Sequence, residues 1–514
     1  MAELLIALLP FILLFALIVL LKMPAITAMP LTYLLSAIIG VVYWKINIAI
    51  IAAASIKGLI IALDIFLIVV GAIFLLEVLR QAKFIQIIDN LLKHISHDRR
   101  IHIIIVAWSF GAFIEGAAGF GSPAALAAPL LVGLGVPALS AVIVSLIANS
   151  TPVSFGAIGT PLIIGLGTIT TDIKEITIYT AVVHSIIGLF MPLLISCIST
   201  KLGKEKSFRN GLEIWPFALF AGACFVLPYL AFAIFLGPEF PSILGGLIGF
   251  ILLIAGAKKG FFIQKKFRLN KVRLDKTKAM HALAPYFLVA VILVLSRIRN
   301  VNSILKRVDI GISNLFNTGI SQSFYPLVSP GIIFLIVSLI ALFFIKLPKE
   351  SVKNAIKNTA VKSGYTFIAL SFTVALVQIF ISSGYNSSGL PSIPIVIAKG
   401  IVSLTGNAFV VISPLIGIFG AFIGGSNTVS NLLFGAFQQQ TAFTLGLPQS
   451  IILALQNVGG AAGNMIAINN IIAASAIVGL KGEEGAIIKN NIVPALLYGL
   501  IAGIIGFVLI KAVV

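Results

Sequence analysis

The chain has 514 residues, 59% of them hydrophobic and only 10% charged, with a formal net charge of +19. A mean hydropathy of +1.14 excludes a soluble globular protein, which needs far more charge to stay dissolved. The basic excess does not describe a nucleic-acid arm, because it clusters between apolar runs, notably in "KKGFFIQKKFRLNKVRLDKTK" at 258–278, as cytoplasmic loops of membrane proteins do.

A membrane-spanning helix needs roughly 17–25 apolar residues to cross about 30 Å of hydrocarbon. Such runs predict spans at 3–21, 25–44, 57–79, 137–166, 177–198, 214–235, 240–257, 279–296, 331–347, 363–383, 448–479 and 491–512. The first lacks a basic leader and a small-residue cleavage site, so it is expected to be a retained span. Asp64 stands seven residues after Lys57 on one helical face, a spacing that predicts a structural ion pair. The segment 84–100 is amphipathic and expected to lie in the interface. Its His94 and His97, with His102 and Asp98, are spaced too irregularly for a metal site. His184 falls in mid-span, where it either rests on a neighbouring carbonyl or carries a proton. Cys197 and Cys224 lie in apolar runs and imply no disulfide framework.

Two stretches, 103–134 and 408–446, resist a simple spanning assignment, because each is two half-membrane arms around a polar, glycine-rich centre. They also repeat: "FGAFIEG" at 110–116 returns as "FGAFIGG" at 419–425, and "LGVPALS" at 134–140 is echoed by "LGLPQS" at 445–450. Each is followed by a span interrupted near its middle, at "IANSTPVSFGAIGTP" (147–161) and "LQNVGGAAGNM" (455–465). The chain therefore divides into N-terminal spans (1–56), a first repeat (57–198; hairpin about 103–134, broken helix about 137–166), intervening spans with basic loops (199–362), and a second repeat (363–514; hairpin about 408–446, broken helix about 448–479). Placing the basic segments 80–100, 199–209, 258–278 and 347–362 inside gives the two repeats opposite orientations, as in many secondary transporters. The basic residues of 297–330 are the exception to that count.

Non-helical backbone is tolerated at membrane depth where it is buried in protein or lines a wet cavity. Gly116, Gly119, Gly121 and Pro123 predict a re-entrant hairpin. Glu115, the single carboxylate in either hairpin, costs about 2.5–3.5 kcal/mol or more facing lipid, so it is expected to face the cavity. The second tip, Gly424-Gly425-Ser426-Asn427-Thr428, offers small polar side chains for a carboxylate or a dehydrated cation; helix–helix glue is the alternative use of such residues. Asn149, Ser150, Thr151 and Pro152 are expected to break the first interrupted span, and Asn457, Gly459, Gly460 and Gly463 the second. Glu77 and Gln378 occupy similar places before the two hairpins. No phosphate-binding loop, dinucleotide fingerprint or metal motif is present in the sequence, and no cofactor is expected.

"FGAFIEGAAGFGSPAALAAPLLVGLG" with "NSTPVSFGAIGTP", and "GGSNTVSNLLFGAF" with "NVGGAAGNMIAINNIIAASAIVGL", resemble the two conserved blocks of the L-lactate permease family, a likeness that runs through nearly the whole chain. The resemblance implies a plasma-membrane carrier that takes up L-lactate, and often glycolate, by proton symport. The family is in turn similar to a wider superfamily of anion transporters with inverted repeats, re-entrant hairpins and Ser-Asn-Thr tips, sodium-coupled dicarboxylate carriers among them. This chain keeps Ser426-Asn427-Thr428 at one tip but has Ala117-Ala118-Gly119 at the other, which puts a paired sodium site in doubt.

The expected architecture is an all-α polytopic membrane protein of about twelve spans and two hairpins. The expected function is a transporter, not an enzyme, with a homodimer left open. Ser426, Asn427, Thr428, Asn149, Ser150, Thr151, Asn457, Gly119, Gly121 and Ser122 are the candidate substrate ligands. Glu115, then Asp64 and His184, are the candidate proton carriers. A sodium-coupled carrier of dicarboxylates or other small organic anions is the main competing reading. A membrane enzyme with Glu115 as general base, or a channel, are readings from other classes.

Overall fold

The computed structural model describes residues 2–21, 23–84, 86–88, 95–119, 121–167, 169, 171–203, 205–264, 276–364, 366–405 and 408–513. His94, Phe120 and the middle of the 84–100 segment lie outside the described residues. Among the described residues every regular element is a helix, and two isolated bridges, Ile46 with Asn386 and Ile312 with Gln322, are the sole strand-like pairings.

By length and composition, seven described helices reach across a bilayer, or nine if two bent pairs each count as one span. The others expected to span include Pro330–Ile345 and Thr366–Ser382, with 16 and 17 residues; at about 1.5 Å per residue they fall a little short of the hydrocarbon thickness. Ile48–Gln81 is the longest helix at 34 residues. It starts where the Asn47 side chain accepts from Ala49 N and packs along both of those shorter helices.

Three expectations are corrected. The span at 177–198 is two helices, Ile173–Gly188 and Met191–Leu202, bent by 43°, because Pro192 has no N–H to give the Gly188 carbonyl. The basic stretch 347–362 is no loop: Lys349–Ser363 is a helix beside Ile48–Gln81, and Asn358 Nδ2 donates to Glu77 Oε2 at 3.0 Å. Among the described residues Asp64 Oδ1 accepts from Ser329 Oγ at 2.5 Å, and no ion pair with Lys57 is seen in addition to that bond.

Each odd stretch is a helical hairpin that packs on the broken helix following it. The first runs from Arg99 through a π-helical turn, Ile104–Phe110, into Gly111–Ala118, and returns as Ser122–Gly133. Its entry is held by buried Arg100, which donates to Asp98 Oδ2 at 2.6 Å and reaches Glu213 Oε2 at 3.3 Å. The second runs down Phe409–Gly424 and back along Asn427–Thr444.

In the first interrupted span Ala138–Ala148 ends, Asn149–Thr151 turn, and the chain resumes at Pro152 with a 57° bend. Further on, Ala157, Ile158 and Gly159 adopt φ of +45°, +55° and +74°, left-handed values that cost an L-residue about 1–2 kcal/mol each.

The second broken helix differs from expectation. Gln449–Gly463 is continuous through Asn457, Gly459 and Gly460, and the break falls at 464–467, where Ala467 is extended before Ile468–Val478. The glycines serve close approach, not unwinding. A Cβ at Gly459 would strike the Pro414 carbonyl, and one at Gly463 the Ile418 backbone, both on the first arm of the second hairpin.

This packing predicts a graded response. Gly459→Ala should destabilise the purified protein by about 1–3 kcal/mol, visible as a lowered melting temperature. Gly111→Ala, whose Cβ meets nothing closer than the Val106 carbonyl oxygen at 3.8 Å, should stay within about 0.5 kcal/mol of the parent. Equal melting temperatures would contradict the helix contact.

Candidate functional site

Glu115 lies one turn before the first tip, where Gly119 N donates to its carbonyl at 3.0 Å. The carboxyl is buried, at 2% exposure. Its Oε1 fills the space a Cβ on Gly156 would need, so a glycine at 156 makes the seat. The Asn149 side chain faces the carboxyl from the end of the first half-helix, while Oε2 has no hydrogen-bond partner.

The second tip is built around asparagines. Gly425 takes the left-handed conformation that ends the descending arm, and the Ser426 side chain accepts from Val429 N to start the returning one. Asn427 Nδ2 and Asn431 Nδ2 both donate to Asn457 Oδ1, each at 2.9 Å. Asn431 Nδ2 also reaches the Pro161 carbonyl at 3.0 Å, which ties this hairpin to both broken helices. Asn427 Oδ1 is buried without a partner and sits where a Cβ on Gly460 would be.

Between the tips is a cleft of about 20 Å³, room for about one water. Its walls include Glu115, Gly119, Gly156, Ala157, Thr160, Ser426, Asn427, Thr428 and Asn464. On the other side of the second tip is a larger cavity of about 350 Å³, walled by Gly424, Gly425 and Ser426 together with Asp64, Gln378, Ser329, Asn469 and Asn470, with Lys306 also on its lining. Ser426 faces both.

The structure thus brings Glu115, Gly119, Ser426, Asn427 and Thr428 onto one cleft, with Asn149 behind Glu115 and Asn457 behind Asn427. It does not bring the other candidates there. Ser150 Oγ donates to the Ile147 carbonyl at 2.8 Å, and Thr151 Oγ1 pairs with Tyr498 Oη at 3.1 Å. Gly121 faces Asn470 on the far side of the first tip, and Ser122 Oγ is buried without a partner. Asp64 belongs to the larger cavity. His184 lies in its own sealed chain, Nε2 at 2.7 Å from Ser154 Oγ and Nδ1 at 2.6 Å from Tyr498 Oη. His102 Nε2 is 2.8 Å from the Ser96 carbonyl oxygen. The residues not foreseen are Asn431, Asn464, Asn469 and Asn470, of which three lie in "GNMIAINN" at 463–470. Polar amides recurring in an apolar run were the signal, by the same cost argument that singled out Asn427.

Among the described residues no lysine or arginine lines the cleft. A carboxylate held there would be bound by amides, hydroxyls and backbone N–H groups, beside a carboxyl that repels it when ionised and donates to it when protonated.

A family model described as L-lactate permease matches residues 3–513. The chain is similar to a putative L-lactate permease of Haemophilus influenzae, 32% identical over 509 residues that cover 94% of this chain and 93% of that protein. It is 29% identical to an L-lactate permease of Bacillus subtilis, covering 86% and 84% of the two chains. It is 26% identical to a glycolate permease of Escherichia coli, covering 98% and 94%.

The two cavities predict a labelling pattern. With Cys197 and Cys224 replaced by alanine, Ser426→Cys should be modified by a small charged methanethiosulfonate, because that position faces both spaces. Ala117→Cys should stay unmodified, since Ala117 is 0% exposed and lines neither. Mass spectrometry of the intact protein reads both, and an inert position 426 would contradict the cavity assignment.

Proposed function

The chain belongs to the L-lactate permease family, and on that footing we propose that this multi-pass integral membrane protein of the plasma membrane imports L-lactate and related small 2-hydroxy monocarboxylates, glycolate included, by proton symport. The observation that carries the reading is the buried Glu115 carboxyl in a cation-free cleft between two hairpin tips.

The physics is linkage. Two like charges about 5 Å apart at an effective dielectric near 20 repel by about 3 kcal/mol, over a hundred-fold in affinity. An ionised Glu115 therefore rejects a carboxylate, and a protonated one accepts it. Reciprocally, a bound carboxylate makes Glu115 hold its proton more tightly. Proton and substrate enter the cleft together, which is what symport requires. Asn427, Ser426 and Thr428 supply the neutral donors, and Asn149 and Asn457 hold Glu115 and Asn427 in place.

The division into repeats at 57–198 and 363–514 gives this site its symmetry. On this reading the two hairpins are re-entrant, enter from opposite faces and meet at the midplane, and the repeats move against the remaining spans to expose the cleft alternately. Contacts between each hairpin and the broken helices support it: Gly119 against Ala157, Gly425 against Asn469, and Asn431 against Pro161.

Glu115→Gln separates binding from coupling, because glutamine keeps size and hydrogen bonding but does not titrate. In proteoliposomes the variant should exchange internal for external labelled lactate with little pH dependence. It should fail to accumulate lactate under an imposed proton gradient. Normal proton-driven accumulation by the variant would remove Glu115 from coupling, and wild-type uptake that follows a sodium gradient instead would overturn proton symport.

A further inference from the structure

As it stands closed, the cleft beside Glu115 has room for about one water and admits an organic acid only when the tips part, whereas the cavity on the opposite face of the second tip, at about 350 Å³, is already large enough. Its inner wall is polar in a specific way. Gln378, on Thr366–Ser382, is 5% exposed, and its Oε1 is buried without a hydrogen-bond partner. Asn469 is 9% exposed. Its Oδ1 accepts from Asn470 N at 3.0 Å, which leaves Nδ2 unengaged among the described residues. The amide is held against Gly425, where a Cβ would collide with it. Asn469 is also in the first turn of Ile468–Val478, so the N–H groups of Ile468 and Asn469, ahead of the one on Asn470 that Asn469 Oδ1 already accepts, open beside the same wall. The buried Gln378 Oε1 is costly to leave without a donor.

We propose that this cavity is a distinct binding site for a small 2-hydroxy monocarboxylate, occupied before the substrate passes the second tip. Asn469 Nδ2 and the helix N-terminus donate to the carboxylate. Gln378 Oε1 accepts from the 2-hydroxyl, the one donor such an acid carries at neutral pH. Lys306, on the same lining as Asp64, offsets the charge of that carboxylate in the cavity. The inference rests on the transport reading above, and it adds a residue, Gln378, that selects for the hydroxyl.

The test is calorimetric titration of L-lactate and of propionate, which lacks the hydroxyl, into the purified full-length protein in lipid nanodiscs. Wild type should prefer lactate. Gln378→Leu replaces an unpartnered buried amide by an apolar group of similar size. It should therefore keep or raise the melting temperature while weakening lactate binding by roughly tenfold and abolishing the preference over propionate. Asn469→Asp keeps the shape and the bond from Asn470 but turns a donor into an anion, and it should weaken both acids alike. If one variant fails to fold, the other still reports. Lactate affinity unchanged in Gln378→Leu or Asn469→Asp, but lost in Asn427→Ala, would overturn this inference and leave the transport reading intact. No binding of lactate by wild type would instead count against the transport reading itself.

Discussion

The architecture depends on one constraint: a helix that ends at membrane depth must have its exposed polar groups met by protein, because lipid offers no partner. Two hairpin tips and two helix breaks come together here. One device recurs around them, a polar side chain laid on a glycine. Glu115 lies over Gly156, Asn427 over Gly460, Asn469 over Gly425, and Asn470 at Gly121. An amide left in an apolar medium without partners costs about 4–8 kcal/mol on a water-to-hydrocarbon scale, so these seats matter to folding as well as to binding. A methyl group at any of the four would meet the polar group it now accommodates.

The same device explains what was legible in the sequence and what was not. "FGAFIEG" and "FGAFIGG" stand out because glycine and a polar residue interrupt an apolar run, and each word lies on the first arm of a helical hairpin. The second helix break was misplaced because glycine has two uses in a membrane helix, unwinding and close approach. Gly459 and Gly463 serve the second, against Pro414 and Ile418, and nothing local distinguishes the two. Asp64 shows a parallel limit. The seven-residue spacing from Lys57 gives a shared face, but the partner, Ser329, comes from a helix start 265 residues away. The helix Lys349–Ser363 carries the charges of a solvated segment, which in sequence alone are those of a loop. Its fit against Ile48–Gln81 through Asn358 and Glu77 is a tertiary fact.

Within the site, residue type was a better guide than residue choice. Asn457 was expected to line the cleft, yet its Oδ1 is engaged by Asn427 and Asn431 and its Nδ2 lies 3.4 Å from Thr180 Oγ1. Asn464 and Asn469, of the same type and from the same apolar run, face the two cavities instead. An asparagine in a membrane helix announces that it is satisfied somewhere. Which face it turns to is decided by the rotation of the helix past its break, and that rotation is set by packing.

A carrier that couples proton and substrate must also avoid returning with the proton alone. The unmet acceptors around the cleft give a reason why it would not. With the cleft closed as it is here, Glu115 Oε2, Asn427 Oδ1 and Asn149 Oδ1 are all buried without partners. Each such group costs about 1–3 kcal/mol. A protonated Glu115 supplies one donor, and a bound 2-hydroxy acid supplies another from its hydroxyl. Closing the cleft around proton and substrate together thus satisfies more of these groups than closing it around the proton alone, and the proton-only passage is slowed by what stays unpaired. On the proposed cycle, the buried groups that make the empty cleft expensive are the ones that favour travelling loaded.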